Sequence, residues 1–449
     1  MTRMTHSGGQ LLLAVFSPFD YLHHFGRLLN WTLIGVVLIV AMIGFLYITR
    51  GTAVRRVRSI GVDATPVSPD EHAFPLTVSL LTGTTLLPGN EVELVLDGSL
   101  FPRLWADLRN AKTSITVQMY YALAGEVTET LAKILIERAQ TGVAVYLLYD
   151  AFGAKALGGS YAKRLRQAGA QVEAFRPLRF RNLWIIQNRA HIRGIVIDSD
   201  IGWTGGFGFD DKWLGDGRTG TGWRDTNVRI RGPAVLQLAE AGAAAWAEAT
   251  GDLFTGRVDQ PRCDDGVAAS GLLYTAPTLG STPAERFLAL SIAGARRSLF
   301  ITNAYFAPDK NFLALLVDAA RRGVDVQLLV GGPRTDVRVA RLAAHGRYDA
   351  LLAAGVRIYE YEPTTLHAKT FVADGMWSTV GTMNFDNRSL ALNDEVTLMI
   401  LDSKFGKRME EIFASDLQQA IAVDPASFKR RPAFEHVKEW CANQITRLL

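Results

Sequence analysis

One order of elements occurs twice in this chain, and a repeat constrains the fold more than any local propensity does. In the first copy SITVQMYYA (114–122) has strand character, Glu126 to Gln140 helical character and VAVYLLYD (143–150) strand character; Tyr161 to Ala168 is helical again, and VEAF is a strand. In the second, SLFITNAYF (298–306), Asn311 to Arg322, VDVQLLV (324–330), Val337 to Ala354 and VRIYEYE follow in the same order. TGVAVYLLYD answers RGVDVQLLV, and AGAQVEAF answers AGVRIYEY. Strands alternating with helices at these lengths predict α/β units around a mainly parallel sheet. Two copies predict a pseudo-twofold body.

Each copy closes on a polar run. The second, Leu366 to Met399, places His367, Lys369 and Asp374 in the spacing His-x-Lys-x4-Asp, followed by Gly381-Thr382-x-Asn384 and an acid, Glu395. Residues i and i+2 of a strand share a face, so His367 and Lys369 aim at one ligand while Asn384 arrives from a neighbouring strand. A lone His-x-Lys pair is usually an edge of sheet with incidental polar residues; the full set reads as a phosphate site.

The first run, AHIRGIVIDSDIGWTGGFGFDDKW, has His191 and Asp198 in the same places, displaced by 367 − 191 = 176 residues. Arg193 replaces the lysine, and Gly208, after Gly205-Gly206, replaces Asn384. Arginine keeps the charge and forks onto phosphate oxygens, but it is bulkier than lysine. Loss of the amide removes a donor. Asp225 stands at the place equivalent to Glu395. A nucleophilic histidine needs such an acceptor on its other ring nitrogen, which fixes the tautomer and raises basicity.

The run from Leu366 closely resembles the second signature motif of the phospholipase D superfamily. With Asp386, Arg388-Ser389 and Leu392-Asn393 it is similar to the bacterial cardiolipin synthase branch, over roughly Phe101 to Asp402. The resemblance implies an α/β fold of two pseudo-twofold-related phospholipase D-like α/β/α domains with mixed sheets. It also implies a phosphatidyltransferase that makes cardiolipin from phosphatidylglycerol through a phosphohistidine, with His191 as nucleophile and His367 as acid/base. Arg193, Lys369 and Asn384 would stabilise the phosphoryl oxygens, with Asp198 and Asp374 as supporting residues of the catalytic set; Gly381, Thr382, Gly205, Gly206, Asp225 and Glu395 would support phosphate binding. No metal and no cofactor are expected, and no nucleic acid. The same motif serves a water-using phospholipase D or phosphodiesterase and, less favoured, a nuclease; Arg193 and Gly208 would also fit a lipid-binding pseudoenzyme with a degenerate first motif.

Outside the repeat, WTLIGVVLIVAMIGFLYI (31–48) is uncharged over 18 residues, the length at which a transmembrane helix leads. Arg50, Arg55, Arg56 and Arg58 follow it, while only Arg3 and Arg27 precede. That bias predicts a single-pass protein of a bacterial inner membrane with its catalytic part in the cytoplasm. A net charge of +4 decides nothing about partners, and two cysteines, Cys263 and Cys441, exclude a disulfide framework. Arginines 176, 179, 181 and 189 interleave with Phe180 and Trp184 before His191. Such a loop suits single-stranded nucleic acid or an anionic leaflet, and the anchor favours the leaflet. At the C-terminus Phe434, Val437, Cys441, Ile445 and Leu448 share one helical face, expected to dock on the catalytic body. The expected division is an anchor (1–60), a first half (61–258), a second half (259–425) and a C-terminal amphipathic helix (426–449).

Overall fold

The computed structural model describes residues 18–48, 53–58, 65–177, 188–254, 261, 263, 266–278 and 280–445. The chain separates into two units, Met1–Arg50 and Gly51–Leu449. In the first, Pro18–Ile48 is one helix of 31 residues, and Trp31, Leu38, Val40 and Phe45 stand exposed on it. Among the described residues, however, no helix is long and apolar enough to cross a membrane. The expected span is therefore helical, but its last side chains, beyond Phe45, lie outside the described residues. The tip of the basic aromatic loop, 178–187, also lies outside them.

The second unit is built on one sheet. Its first half contributes β1 (Leu87–Leu96), β2 (Ser114–Met119), β3 (Ala144–Asp150), β4 (Gln171–Phe175), β5 (Arg193–Ile197), β6 (Ile201–Gly205) and β7 (Thr226–Arg231). The second half contributes β8 (Ala268–Thr275), β9 (Ser298–Asn303), β10 (Asp325–Gly331), β11 (Arg357–Tyr361), β12 (Lys369–Ala373), β13 (Trp377–Gly381), β14 (Glu395–Leu401) and β15 (Ala420–Ala422). The order is β15-β11-β10-β9-β12-β13-β14-β8-β1-β7-β6-β5-β2-β3-β4. From β8 and β1 outward the two halves read the same sequence of equivalent strands, as the repeat requires, with β15 added at one edge. Parallel pairing is confined to β2-β3-β4 and β9-β10-β11. The mainly parallel sheet expected from the alternation gives way to the mixed sheet that the family resemblance implied, because each histidine motif folds as an antiparallel hairpin in the middle.

Why the central strands are apolar on both sides follows from what covers them. Ile195 and Ile197 of β5 enter the first half's own core, and Phe371 and Ala373 of β12 enter the second's. The alternate residues, Val196 and Val372, meet in a third core with Val228, Ile230, Val380, Val396 and Leu398. That shared core joins the halves. Burying its valine, leucine and isoleucine side chains contributes about 1.5–3 kcal/mol each.

The C-terminal helix reverses its expected orientation. Ala433–Ile445 leaves Phe434, Val437 and Trp440 exposed and buries Glu439 and Ala442. Arg431 sets two N–H donors on the Glu439 carboxylate at 3.0 and 2.9 Å. A paired, buried carboxylate thus fixes which side faces the protein, and the apolar stripe turns out.

Candidate active site

Both motifs fold as hairpins whose loops begin at an aspartate with positive φ, 53° at Asp198 and 56° at Asp374. Neither carboxylate reaches the site. Asp198 accepts N–H bonds from Lys112, Thr113 and Ser114 at 2.7–3.1 Å. Asp374 accepts them from Arg296, Arg297 and Ser298 at 2.7–3.2 Å. Each ties its hairpin to the start of the adjoining strand, β2 or β9. Backbone donors from three residues occupy each carboxylate and hold the hairpin in place.

The histidines stand just before β5 and β12, and the backbone there crosses between halves. Ala190 bridges to Asp394 and Arg224 bridges to Leu366, with Asp394 N–H donating to Arg189 O at 2.9 Å and His367 N–H to Arg224 O at 2.7 Å. Two ion pairs span the same seam, Arg176–Asp394 at 2.9 Å and Arg224–Asp416 at 2.6 Å. As a result each acid serves the other half's histidine. His191 Nδ1 lies 2.9 Å from both Glu395 oxygens, and His367 Nδ1 lies 2.9 Å from Asp225 Oδ2. Those partners are 204 and 142 residues apart in the chain.

The departures in the first motif have a common cause. In the second half Thr382 Oγ1 donates to Glu395 at 2.5 Å. In the first, Gly206 stands in that place, and a Cβ there would lie 2.2 Å from Asp225 Oδ1. The donor comes instead from Trp213, whose Nε1–H reaches Asp225 Oδ2 at 2.8 Å. Trp213 sits one repeat before Ser389 (389 − 213 = 176). Its ring also fills the space of the missing amide, since a Cβ on Gly208 would meet it at 2.9 Å and Tyr121 at 3.1 Å. The first half-site is rewired around an indole.

A cleft of about 250 Å³ opens on this arrangement, lined by His191, His367, Arg193 and Asn384 among others. Lys369 lies behind the wall and donates to His367 O. Gly205, Gly381, Thr382, Asp225 and Glu395 likewise back the site without lining it. Asn384 Oδ1 has no partner among the described residues, which leaves an acceptor for a ligand hydroxyl. Residues missed from the sequence line the cleft too. The Tyr120 and His191 rings meet edge to face with centroids 4.6 Å apart, and the Trp223 and His367 centroids are 5.2 Å apart. Lys212 is enclosed by Tyr121 and Trp223 at 4.1 and 3.9 Å from their ring centroids and donates to Tyr121 Oη at 2.8 Å. Asp336 accepts from Tyr305 Oη at 2.9 Å. The available signal was the repeat itself: Lys212-Trp213 occupies the register of Arg388-Ser389.

Burial sets the charges. It drives His191 well below its ordinary value, helped by Arg193 and Lys369, and lowers His367 to about 3, with Lys369 adding to it and Asp225 opposing. Both imidazoles rest neutral. Arg193 Nη1 lies 3.2 Å from His191 Nε2; arginine only donates, so Nε2 carries the lone pair and Nδ1–H faces Glu395. The two acids diverge. Burial raises Glu395 to about 8, whereas Asp225, pushed up by burial, is held below the usual carboxylate range by His367, Lys369 and the Trp213 indole. Burial also brings Lys369 down to about 7. Among the described residues no group of His, Cys, Asp and Glu is arranged to hold a metal ion.

This geometry can be set beside known proteins. The model of the family described as cardiolipin synthase, phospholipase D-like domain, matches residues 104–242 and 288–417, one stretch in each half. Cardiolipin synthase A of Pseudomonas putida (strain W619) is 33% identical over 365 residues, 81% of this chain and 76% of its own length. Cardiolipin synthase of Geobacillus sp. (strain WCH70) is 34% identical over 406 residues, 87% and 79% of the two chains. Among solved structures, the phosphatidylserine synthase of Haemophilus influenzae Rd KW20 superposes with a TM-score of 0.65 at 13% identity, covering 83% of this chain and 99% of its own; the likeness is one of fold. With both halves matched and relatives of this identity spanning most of its length, the chain belongs to the cardiolipin synthase family, phosphatidyltransferases built from two phospholipase D-like domains.

Proposed function

We propose that the protein transfers the phosphatidyl group of one phosphatidylglycerol to the headgroup hydroxyl of a second, releasing glycerol, through a phosphohistidine on His191. The observation that carries this reading is the pair of neutral imidazoles on one cleft, each held at Nδ1 by a carboxylate of the opposite half. Substrate phosphate draws Arg193 off His191 Nε2 and onto its own oxygens. The freed lone pair attacks phosphorus in line, forming the P–N bond as the P–O bond to the glycerol headgroup breaks. As the anionic phosphate enters, His367 takes a proton from solvent at Nε2, its imidazolium held by Asp225, and gives that proton to the departing oxygen. A second lipid then returns a proton to His367 Nε2 while its hydroxyl oxygen displaces His191, and the cycle closes.

The unequal acids support this division of labour. An ionised Asp225 stabilises the imidazolium that His367 must become, whereas a Glu395 near neutrality orients His191 without holding a proton on it. Arg193 and the Asn384 NH₂, which line the cleft, stabilise the equatorial oxygens, and Lys369 adds its charge from behind the wall. Gly205, Gly206, Gly381 and Thr382 shape the backbone behind them, and the halves divide as 61–258 and 259–425. The helix Pro18–Ile48 anchors the enzyme in a bacterial inner membrane, with Arg55, Arg56 and Arg58 holding the catalytic part on the cytoplasmic side.

Purified protein in mixed micelles with phosphatidylglycerol as sole lipid should yield cardiolipin and glycerol in equal amounts, and added glycerol should drive the reaction backwards. Phosphatidic acid as the dominant product, unaffected by more acceptor lipid, would replace transfer by hydrolysis. No product of either kind would favour a lipid-binding pseudoenzyme.

A further inference from the structure

The helix Ala433–Ile445 carries its apolar side chains on the wrong face for a docked helix. Phe434, Val437 and Trp440 are 65%, 56% and 64% exposed, while Glu439 is 3% exposed against the body. This orientation is fixed rather than incidental. Glu439 is gripped by Arg431 and lies 4.0 Å from His345 Nδ1. Asn443 accepts from Arg347, and the helix approaches Arg338–Ala353 so closely that a Cβ on Gly346 would fall 2.2 Å from Asn443 Nδ2. Turning the apolar stripe inward would strand a buried carboxylate and two arginines. Lys429 and Arg430 are exposed on the preceding turn, and Lys438, paired with Glu435 at 2.8 Å, sets its Nζ 4.4 Å over the Phe434 ring.

We propose that this helix is an interfacial docking surface that lays Phe434, Val437 and Trp440 into the headgroup boundary of an anionic bilayer, with Lys429 and Arg430 on lipid phosphates. Two considerations favour lipid over a second copy of the chain. An aromatic side chain covers about 150–250 Å², so two of them and a valine bury on the order of 500 Å², short of the roughly 800 Å² per partner that a specific dimer needs. Lys429 and Arg430 make the preceding turn basic, which opposes self-association and matches anionic headgroups. The inference needs a lipid-facing protein but not the transfer chemistry, and its readout does not depend on activity.

The test uses the full chain reconstituted into phosphatidylglycerol/phosphatidylcholine vesicles. Cys441, exposed beside Trp440, is labelled with an environment-sensitive fluorophore in a Cys263→Ser background. Shallow nitroxide lipids should quench the label at least twofold while aqueous iodide leaves it bright. Phe434→Ser with Trp440→Ser, both on the exposed face, should abolish lipid quenching without altering the fold, and Lys429→Glu with Arg430→Glu should weaken it. A label open to iodide and untouched by lipid nitroxide overturns the proposal. Self-quenching that disappears on dilution with unlabelled protein, together with Cys441–Cys441 cross-links, would assign the face to a second copy and also overturns it.

Discussion

The two half-sites share a backbone plan and differ in how they treat an acid. In the second half a hydroxyl from Thr382 meets Glu395, which burial raises to about 8. In the first an indole from Trp213 and the Thr226 N–H, both at 2.8 Å, meet Asp225, which stays ionised. Because the acids are exchanged between halves, the ionised one faces His367 and the near-neutral one faces His191. A twofold scaffold therefore yields two histidines with unlike tasks. Gly206 and Gly208, which look like erosion in a motif, make room for the residue that creates the difference.

The largest expected effect tests whether both poles are needed. His191→Ala and His367→Ala should each lower turnover of phosphatidylglycerol on the order of 10⁴-fold or more, measured as cardiolipin formed in micelles. Residual activity within a few-fold in either would leave a single-site scheme. Next come the acids. Both Asp225 oxygens receive donors, so Asp225→Asn must set its NH₂ against one of them; a loss of roughly 10³–10⁴ in kcat with little change in KM is expected. Glu395→Gln should cost only about tenfold, because its amide oxygen can still accept from His191 Nδ1 while its NH₂ faces the Thr382 hydroxyl, which can reverse its role. Equal losses would erase the distinction drawn between the acids.

Much of this site is written in the chain. The displacement of 176 residues makes His191 the counterpart of His367, whereas the antiparallel hairpins that follow both are not legible in the alternation of strands and helices. Spacing cannot reveal which acid serves which histidine, since that follows from backbone bridges at Ala190–Asp394 and Arg224–Leu366, pairings between halves. Asp198 and Asp374 share the motif's spacing because the hairpins need them, and spacing alone does not separate staples from reactants. Trp213 was hidden because an indole standing for a hydroxyl matches no pattern. At the C-terminus Phe434, Val437 and Cys441 stand exposed, the side chains of Ile445 and Leu448 lie outside the described residues, and the direction of the helix is set by Glu439 and Arg431, a paired charge that outweighs an apolar stripe.

A smaller effect concerns the cations. Arg193→Ala should cost about a hundredfold, as loss of a transition-state donor does, and Arg193→Lys should keep or raise activity; an inert alanine would mean the first half no longer handles phosphate. Lys369 supplies a pH signature. Its folded pKa of about 7 lies below the ordinary value, so the free enzyme loses this charge as pH rises through 7, and kcat/KM should fall there. Phosphate in the bound state favours the charged form, so kcat should fall only at higher pH. Lys369→Arg should move the kcat/KM limb out of range. The smallest effect probes the rewiring: Gly208→Asn alone should lower activity, roughly tenfold, through the clash with Trp213, and Trp213→Ser in the same chain should recover part of it.

The central claim is that His191 forms the bond to phosphorus and His367 moves the proton. A phosphatidyl ester of p-nitrophenol separates the two, since this leaving group departs without an acid. Rapid mixing with His367→Ala should release one equivalent of p-nitrophenol in a burst and then stall, with acid-labile phosphorus on the peptide holding His191, while His191→Ala gives no burst. A burst from His191→Ala, or phosphorus recovered on His367, would contradict it.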